Sequence, residues 1–432
     1  MSKYKLIFFP YRGRGELVRL TFMAAGVEYD EEIIEKKEWP KFKSKMPTEQ
    51  LPVLEVDGRR LAQSLAITRY LAREFGLAGQ GNLGQCLVDM VVDTAADAFK
   101  EYLKYHNETD EDKKAELQKK VVAEITPQFA RIFQNLLENN DGTNDCFVGS
   151  SLTLADLAFY EVFTHFLGHN SEALKDFPKL AANRKMVEEN KNLKQYLTNR
   201  YDSIINPRRL QQPQRHAHIS LSSMSTYKLI YFDARARAEL IRLVFAAAGQ
   251  TYTDEIVNDT EWPALKPKMP TGQLPVLEVD GKQLSQSLAI ARYLAREFDM
   301  AGQGNLEQCL VDQVVETAAD GFNEFYEYYK LNEQEKDTDK KEELKKAFVS
   351  DAVPKFARIF TTFIENSGGK NGYFVGAKLT IADMACHDIF TTFLLLNPDA
   401  LNDFPKLAAN RQKVEENEKI KEYIAKRPEN SI

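Results

Sequence analysis

The chain is poor in cysteine, and it lacks a long run of apolar residues. Four cysteines among 432 residues do not form the disulfide framework of a small secreted scaffold, so we expect reduced, buried thiols. No apolar run approaches the ~18 residues that a membrane-spanning helix requires. The N-terminus, MSKYKLIFF, lacks the apolar core and cleavage site of a signal peptide. These absences predict a cytoplasmic protein with no membrane partner.

Histidine is scarce as well, and the net charge is negative. The six histidines lie at no spacing typical of metal ligands, so we expect no metal cofactor. The net charge of −7 disfavours general binding to nucleic acid or to anionic membranes. With 43% hydrophobic and 28% charged residues, the composition is that of an ordinary globular protein.

Repetition is the strongest feature that the chain does contain. YKLIFFPYRGRGELVRL begins at Tyr4, and YKLIYFDARARAELIRL begins at Tyr227, 223 residues later. The motifs LPVLEVDG, QSLAI, YLAREF and AGQGNL recur at the same spacing. A period of this length indicates the duplication of a whole protein. Residues 201–225 between the copies are rich in Pro, Gln and Ser without an apolar period, which predicts a linker.

Each copy is predicted to begin with a small α/β domain of the thioredoxin type. In the first copy the segments YKLIFF, YDEEII, VLEV and RLAQ have the composition of strands. The apolar spacing over Glu16–Ala25 predicts a helix between the first two. Asp57 and Gly58 predict a tight hairpin between the last two, and Ser64 begins an amphipathic helix. The order is βαβ followed by ββα.

The remainder of each copy is predicted to be all-helical. Apolar residues recur at helical spacing over residues 85–104. Thr153 followed by Asp156, and Thr380 followed by Asp383, predict helix N-caps. The predicted domain boundaries are 1–78 and 82–200 in the first copy, 201–225 for the linker, and 226–301 and 305–428 in the second copy.

One exchange between the copies concerns a side chain that can do chemistry. Phe8 stands at the end of the first predicted strand, and Tyr231 stands at the same place in the second copy. A phenol can donate a hydrogen bond, whereas a phenyl ring cannot. If the Tyr231 hydroxyl is catalytic, the first copy lacks the group that the second copy retains.

The order of motifs in both copies resembles the sigma-class glutathione transferases, the family of haematopoietic prostaglandin D synthase and the S-crystallins. The motifs are a strand ending in Tyr-Phe (Phe-Phe in the first copy), then Arg-X-Arg-X-Glu, Glu-Trp-Pro, Leu-Pro-Val-Leu and Gln-Ser. The resemblance covers both halves and implies an enzyme with a thioredoxin-like domain and an all-helical domain, each occurring twice. It also implies that glutathione is the co-substrate and that small hydrophobic electrophiles accept the thiolate.

The resemblance assigns activation of the thiol to Tyr231 and Arg237. A thiol with a pKa near ~8.5 is mostly protonated at pH 7, and the thiolate is the nucleophile. A phenol O–H directed at sulfur stabilises the anion, and the positive charge of Arg237 favours it further. Because Phe8 cannot donate, we expect the first copy to bind glutathione and to turn over slowly.

The resemblance further implies a set of glutathione-binding residues in each copy. Gln-Ser begins a helix, where free N–H groups suit the γ-glutamyl carboxylate. Leu-Pro would pair with the cysteinyl backbone, and Trp and Lys would hold the glycyl end. In the second copy these residues are Phe232, Trp262, Lys266, Gln273, Leu274, Pro275, Gln286, Ser287 and Asp320. In the first copy they are Phe8, Phe9, Arg14, Trp39, Lys43, Gln50, Leu51, Pro52, Gln63, Ser64 and Asp97.

Asp97 and Asp320 are implied to act across an interface. In the family this Asp reaches the glutathione ammonium in the partner's site. If the halves pair within one chain as a pseudo-dimer, Asp97 completes the second site and Asp320 completes the first. The alternative is a homodimer in which two chains pair half to half.

Departures from the prostaglandin-forming members of the family narrow the choice of substrate. Those members have a Trp at the position of Lys104 in the first copy and Glu327 in the second. They also have a cluster of three Asp, and one of these positions is Ala96 in the first copy and Ala319 in the second. We therefore expect neither prostanoid synthesis nor metal activation. The walls of the acceptor pocket are expected to be Phe232, Ala234 and Phe322 in the second copy, and Phe9, Tyr11 and Phe99 in the first. A structural or ligand-binding role of the S-crystallin type is the alternative to catalysis.

Overall fold

The computed structural model describes residues 4–199 and 225–427, so nearly all of the predicted linker lies outside the described residues. Within those ranges the same order of elements occurs twice. The strands of the first half are β1 Tyr4–Phe8, β2 Asp30–Ile33, β3 Val53–Val56 and β4 Arg59–Leu61. The strands of the second half are β5 Tyr227–Phe232, β6 Thr253–Val257, β7 Val276–Val279 and β8 Lys282–Ser285.

Helices account for most of the other described residues. In the first half they are α1 Glu16–Ala25, α2 Trp39–Phe42, α3 Ser64–Glu74, α4 Gly81–His106, α5 Glu111–Lys120, α6 Thr126–Asn139, α7 Leu154–Leu167, α8 Pro178–Glu189 and α9 Lys194–Asn199. In the second half they are α10 Glu239–Ala248, α11 Trp262–Leu265, α12 Ser287–Glu297, α13 Gly304–Gln334, α14 Thr338–Asn366, α15 Ile381–Leu396, α16 Pro405–Glu415 and α17 Glu418–Lys426. None of the helices in the described ranges is long and apolar enough to cross a membrane.

The four strands of each half form a mixed sheet. β1 pairs in parallel with β2 and antiparallel with β3, and β3 pairs with β4, which gives the order β2-β1-β3-β4. The second sheet has the equivalent order β6-β5-β7-β8. Asp57 and Gly58 connect β3 to β4 and both have positive φ, as a two-residue hairpin requires. The predicted thioredoxin-like domain and helical domain, occurring twice, are confirmed.

The central strand β1 is buried on both of its faces. Leu6 and Phe8 point to one face and join the main apolar core, which includes residues of the helical domain. Ile7 points to the other face, where it packs with Val53 against α2. The alternation of a strand therefore brings Phe8, and Tyr231 at the same place in β5, to the side of the sheet that faces the main core.

Buried Asp residues cap α7 and α15 and hold the loops before them. The backbone N–H of Thr153 donates to Asp156 Oδ2 at 2.7 Å, and that of Phe147 donates to Asp156 Oδ1 at 2.9 Å. Asn183 Nδ2 on α8 also donates to Asp156 Oδ1, at 2.7 Å. The predicted N-caps are confirmed in both halves as capping boxes.

The second half is slightly longer than the first, and the extra length lies in its first long helix. The spacing between equivalent residues grows from 223 at Tyr227 to 227 at Thr380. α13 has 31 residues, whereas α4 has 26. The charged segment that follows α4 forms α5, which has no buried residue, as is typical of a solvated helix.

Two buried arginines connect the halves. Arg69 on α3 donates through Nε to Asp89 Oδ1 at 2.7 Å, and through Nη1 to Glu316 Oε1 of the other half at 2.7 Å. Arg292 on α12 donates to Asp312 Oδ1 at 2.8 Å and to Glu316 Oε1 at 2.5 Å. Because both guanidinium groups are about 3% exposed, their charges are balanced by these carboxylates and hardly by water.

Asp93 completes the network between the two arginines. It accepts a hydrogen bond from Arg69 Nη2, and its Oδ2 lies 3.6 Å from Arg292 Nη1. Burial raises the pKa of Asp93 to about 6, although both guanidinium groups oppose the rise. Burial of this carboxyl group therefore disfavours its ionised form, even between two cations.

The contact between the two halves is not symmetric at one buried position. Gln313 Oε1 accepts a hydrogen bond from the backbone N–H of Ala62 at 2.5 Å. Met90 is the equivalent of Gln313 in the first half, and it has no such acceptor. Ser285 is the equivalent of Ala62, and its buried Oγ has no hydrogen-bond partner among the described residues.

The four cysteines are free and buried, as expected. The thiols of Cys86 and Cys309 contact backbone carbonyl oxygens of the other half at 3.6 Å. Burial raises the pKa of all four thiols, to about 12 for Cys146. These thiols are therefore protonated and unreactive at neutral pH.

Replacing Arg69 by Ala should destabilise the folded chain strongly. The change would take one cation away from three buried carboxyl groups, those of Asp89, Asp93 and Glu316, and the loss of one partner from a buried ion pair costs about 3–5 kcal/mol. Urea unfolding of the full chain measures the loss. Lys104→Ala is the matched control, because Lys104 and Glu101 form an exposed pair worth at most about 1 kcal/mol. Equal losses in the two variants would contradict the expected role of Arg69.

Candidate active sites

Tyr231 and Phe8 occupy equivalent places near the ends of the central strands. Tyr231 is 6% exposed and Phe8 is 3% exposed, since both point into the main core. A guanidinium group lies over each ring. Arg242 Cζ is 5.9 Å from the ring centroid of Tyr231, and Arg19 Cζ is 5.5 Å from that of Phe8. On this side of the ring the two halves are therefore alike.

The Tyr231 hydroxyl is held by the loop that follows β5. The backbone N–H of Arg237 donates to Tyr231 Oη at 3.3 Å. Burial raises the pKa of Tyr231, while this hydrogen bond and the charge of Arg237 oppose the rise. The phenol is therefore neutral at physiological pH, and its own proton is available for a further hydrogen bond. A sulfur anion placed before the hydroxyl would accept it.

The guanidinium of Arg237 is engaged by α13. Its Nη2 donates to Asn323 Oδ1 at 3.0 Å, and its Cζ lies 5.3 Å from the ring centroid of Phe322. The side chain is otherwise exposed. The structure thus brings Arg237 next to Tyr231, and the direct contact is made by the backbone amide of Arg237.

Each half places an Asp beside the predicted site of the other half. Gln286 Nε2 donates to Asp97 Oδ2 and to Thr94 Oγ1, both at 3.1 Å. Gln63 Nε2 makes the equivalent hydrogen bond to Asp320 Oδ2 at 3.0 Å. Within one chain, therefore, Asp97 meets the Gln-Ser motif of the second half, and Asp320 meets that of the first.

The two Asp residues also lie near the loop arginines of the opposite half. Burial raises the pKa of Asp97, and the hydrogen bond from the facing Gln and the charge of Arg237 oppose the rise. Burial likewise raises the pKa of Asp320, and the charge of Arg14 and the facing Gln oppose it. Each site thus combines a carboxyl group from one half with a cation from the other.

The Gln before each of these helices has an unusual backbone conformation. Gln63 and Gln286 have φ angles of 63° and 66°, a region that costs a residue other than Gly about 1–3 kcal/mol and that clusters at functional sites. Ser64 and Ser287 follow as the first residues of α3 and α12. The first N–H groups of a helix have no partner within it, so these positions suit an anionic ligand.

The other predicted ligands lie along the loops that border each sheet. Trp39 and Trp262 are half-buried and stand edge-on to Phe9 and Phe232, with ring centroids 5.7 Å and 5.6 Å apart. The Leu-Pro bonds of both predicted sites are cis. The exposed members of the two predicted sets are Arg14, Lys43, Gln50, Arg237, Lys266 and Gln273.

The predicted acceptor pockets differ in the side chains that cover them. In the first half Tyr11 stacks on Phe9, with ring centroids 5.2 Å apart, and is 51% exposed. Ala234 takes the place of Tyr11 in the second half, which removes this cover. Phe99 of the first half packs against His165 at 5.2 Å. The predicted pocket of the second half therefore lacks the Tyr11 ring that covers Phe9 in the first.

Several contacts at these sites were not predicted from the sequence. Thr94 accepts from Gln286 in the second half. In the first half Arg12 Nη2 donates to Glu161 Oε1 at 2.7 Å, and His165 Nε2 lies 3.3 Å from the same oxygen. Thr94 corresponds to a Thr in the second half, so no difference between the copies marks this position. His165 has a Thr as its equivalent, and that mismatch could have revealed it.

Two protein-family models match this chain, and each matches twice. The glutathione S-transferase N-terminal domain matches residues 4–73 and 227–296. The glutathione S-transferase C-terminal domain matches residues 96–200 and 322–427. The two domains therefore follow each other in the same order in both halves.

Individual relatives align with about half of the chain. Probable glutathione S-transferase 6 of Caenorhabditis elegans is 42% identical over 208 residues, which are 48% of this chain and 98% of the relative. Hematopoietic prostaglandin D synthase of Mus musculus is 39% identical over 209 residues, 48% of this chain and 100% of the relative. S-crystallin SL11 of Nototodarus sloanii is 37% identical over 204 residues, 46% of this chain and 98% of the relative. Half of this chain thus corresponds to a whole relative.

The phenol of Tyr231 should titrate above the ordinary range of tyrosine. Burial is the largest influence on its pKa and favours the neutral form, so the phenolate should form only above pH ~10. Subtracting an ultraviolet titration of the Tyr231→Phe variant from that of the unchanged chain isolates this transition. The same pair of titrations in urea is the control. A Tyr231 transition well below that of the unfolded chain would contradict the expectation.

Proposed function

Because this chain belongs to the glutathione S-transferase family, we propose that its second half is the main catalytic unit and that its first half binds glutathione with reduced activity. The protein is an enzyme of the sigma-like type, and glutathione is the co-substrate of its family. The observation that carries the proposal is the hydrogen bond from Arg237 N–H to the Tyr231 hydroxyl, a group that Phe8 lacks.

In this proposal Tyr231 stabilises the glutathione thiolate. The thiol releases its proton to solvent, and the Tyr231 O–H donates to the sulfur anion. The N–H of Arg237 bonded to Oη polarises the hydroxyl and strengthens it as a donor. The phenol itself stays protonated, because burial raises the pKa of Tyr231. The thiolate then attacks the electrophile and forms the carbon–sulfur bond.

The charged ends of glutathione suit different parts of the second site. Ser287 and the first N–H groups of α12 suit the γ-glutamyl carboxylate, and Asp97 suits the ammonium group. Trp262 and Lys266 suit the glycyl carboxylate, and the backbone of Leu274 suits the cysteinyl unit. The equivalent residues of the first site are Ser64, Asp320, Trp39, Lys43 and Leu51.

In this proposal the two halves of one chain pair with each other and complete both sites. Asp97 and Gln286 belong to different halves, and their side chains are 3.1 Å apart. The buried contact of Arg69 with Glu316 also joins the halves. Without the first half, the second site would lack its ligand for the ammonium group. The alternative, a homodimer of two chains paired half to half, is separated by the mixing experiment below.

Small hydrophobic electrophiles are the proposed second substrates. Phe232 and Phe322 are half-buried and apolar, and Ala234 leaves the surface before them open. Lys104 and Glu327 stand where prostaglandin-forming members of the family have Trp, so a prostanoid is a poorer candidate. We place the reaction in the cytoplasm, because the four cysteines are free and buried.

A ligand-binding role with little catalysis, of the S-crystallin type, is the second candidate. The similarity to S-crystallin SL11 and the exchange of the hydroxyl for Phe8 favour it. The second half opposes it, because Tyr231, its N–H donor and the facing Asp97 are all present there. We therefore place catalysis first.

Tyr231→Phe should remove most of the activity and preserve glutathione binding. The loss of one preorganised donor to an anion costs about 2.7–4 kcal/mol, or ~10²–10³ in kcat. Conjugation to a chlorodinitrobenzene measures the rate, and calorimetry measures binding. Tyr227→Phe is the matched control, because Tyr227 lies on the same strand and packs against aromatic rings. Activity that survives in Tyr231→Phe would overturn the assignment of the catalytic residue.

Asp97→Asn and Asp320→Asn should affect different sites. Asp97→Asn should raise the KM for glutathione about tenfold, since a hydrogen bond to a charged group contributes about 1.5–3 kcal/mol. Asp320→Asn should instead weaken the binding event of the first half, which calorimetry resolves. Mixing Asp97→Asn chains with Tyr231→Phe chains should give no more activity than the average of the two. Recovered activity would show that the sites form between chains.

A further inference from the structure

The two halves also differ at the residue that faces the ring of Phe8. Residues 13–15 read Gly-Arg-Gly after β1, and residues 236–238 read Ala-Arg-Ala after β5. The backbones of the two loops are alike. Gly15 has φ −82° and ψ −18°, and Ala238 has φ −93° and ψ −14°. The difference between the loops therefore lies in their side chains.

Gly15 has no room for a side chain beside Phe8. An ideal Cβ on Gly15 would lie 2.4 Å from Phe8 Cδ1, 2.7 Å from Cγ and 2.8 Å from Cε1. Atoms in a packed interior do not approach this closely. The Phe8 ring is buried and contacts the rings of Phe9 and Tyr11. The ring in this position and a Cβ on residue 15 therefore exclude each other.

Ala238 carries that Cβ in the second half. A Tyr231 ring as close to this Cβ as the Phe8 ring is to the Cβ position of Gly15 would overlap it, so the distance between ring and loop is larger in the second half. In the position that it takes, its hydroxyl meets the N–H of Arg237 at 3.3 Å. The Cζ of Phe8, to which a hydroxyl would be attached, lies 3.6 Å from an ideal Cβ on Gly13.

We propose that Gly15 and Ala238 decide where the ring of the preceding strand lies, and thereby whether a hydroxyl on that ring can reach the sulfur of glutathione. Ala238 is a positioning residue for Tyr231. Gly15 allows the Phe8 ring to settle against the loop backbone. The first half therefore differs from the second at two coupled positions. This inference rests on the proposed function, because it takes Tyr231 as the donor to sulfur.

Phe8→Tyr alone should consequently restore little activity to the first half. From the position that Phe8 takes, the new hydroxyl would project towards residue 13. Adding Gly15→Ala should move the ring to the position that Tyr231 takes. The backbone N–H of Arg14 could then donate to the hydroxyl, as that of Arg237 does in the second half.

The full chain carrying Tyr231→Phe isolates the first half, because its second half lacks the donor. Phe8→Tyr, Gly15→Ala and both together are added to this chain. The conjugation rate and the pH dependence of the ultraviolet absorbance of bound thiolate are measured. We expect Phe8→Tyr alone to raise kcat less than ~10-fold and the pair to raise it on the order of 10²-fold. The pKa of the bound thiol should fall only in the pair, a change that packing alone would not cause.

The outcomes separate this inference from the proposed function. Equal rates for Phe8→Tyr with and without Gly15→Ala would overturn the coupling and leave the proposed function intact. High activity of the Tyr231→Phe chain itself would overturn the proposed function. Restoration by Phe8→Tyr with Tyr11→Ala, without Gly15→Ala, would assign the effect to Tyr11 and also overturn the coupling.

The reciprocal change in the second half tests the same idea without restoring an activity. Ala238→Gly removes the Cβ and frees the Tyr231 ring to move towards the loop. We expect kcat to fall ~10-fold, a part of the 10²–10³ that loss of the donor costs, with a raised pKa of the bound thiol. Ala247→Gly in α10 controls for added backbone freedom. An Ala238→Gly chain with unchanged rate and thiol pKa would contradict the inference.

Discussion

The buried ion pairs of Arg69 and Arg292 fix how the two halves of this chain lie against each other. A guanidinium in such a site needs carboxylate partners, because a buried charge without them costs several kcal/mol. Arg69 finds one partner in Glu316 of the other half, so α3 cannot leave α13 without exposing the pair. Asp93, which belongs to the network, and Asp97 are four residues apart on α4 and share one helix face. The network therefore also sets where Asp97 meets the second half.

The same interface shows that the halves have become different from each other. Gln313 of the second half accepts a hydrogen bond from Ala62 of the first, and Met90 offers no equivalent. Ser285 has a buried hydroxyl without a partner among the described residues. Two identical second halves would have brought Ser285 and Gln313 together, each able to bond the other. One-sided contacts of this kind are expected when two copies of one surface change independently.

Features that depend on residues close together in the sequence could be predicted from it. The helix Glu16–Ala25 follows from its apolar spacing, and the helix caps follow from Thr-X-X-Asp. The partners of Arg69 could not be predicted, because Glu316 is 247 residues away and charges on a helix are equally typical of a solvated face. Gly15 was missed for another reason. An exchange of Gly for Ala changes no reactive group, and its meaning depends on the distance to Phe8.

A residue that is the same in both halves is evidence for a bound ligand only where no contact within the protein explains why it is the same. Gln63 and Asp320 hydrogen-bond to each other, so packing of the halves alone would preserve them in a half that bound nothing. Lys43 is exposed and has a Lys as its equivalent, whereas the exposed Lys41 corresponds to Ala264. Packing does not explain an exposed side chain that stays the same while its neighbour changes, and in the proposed function this Lys binds the glycyl carboxylate. The case for a glutathione site in the first half therefore depends on its exposed loop residues and not on its interface.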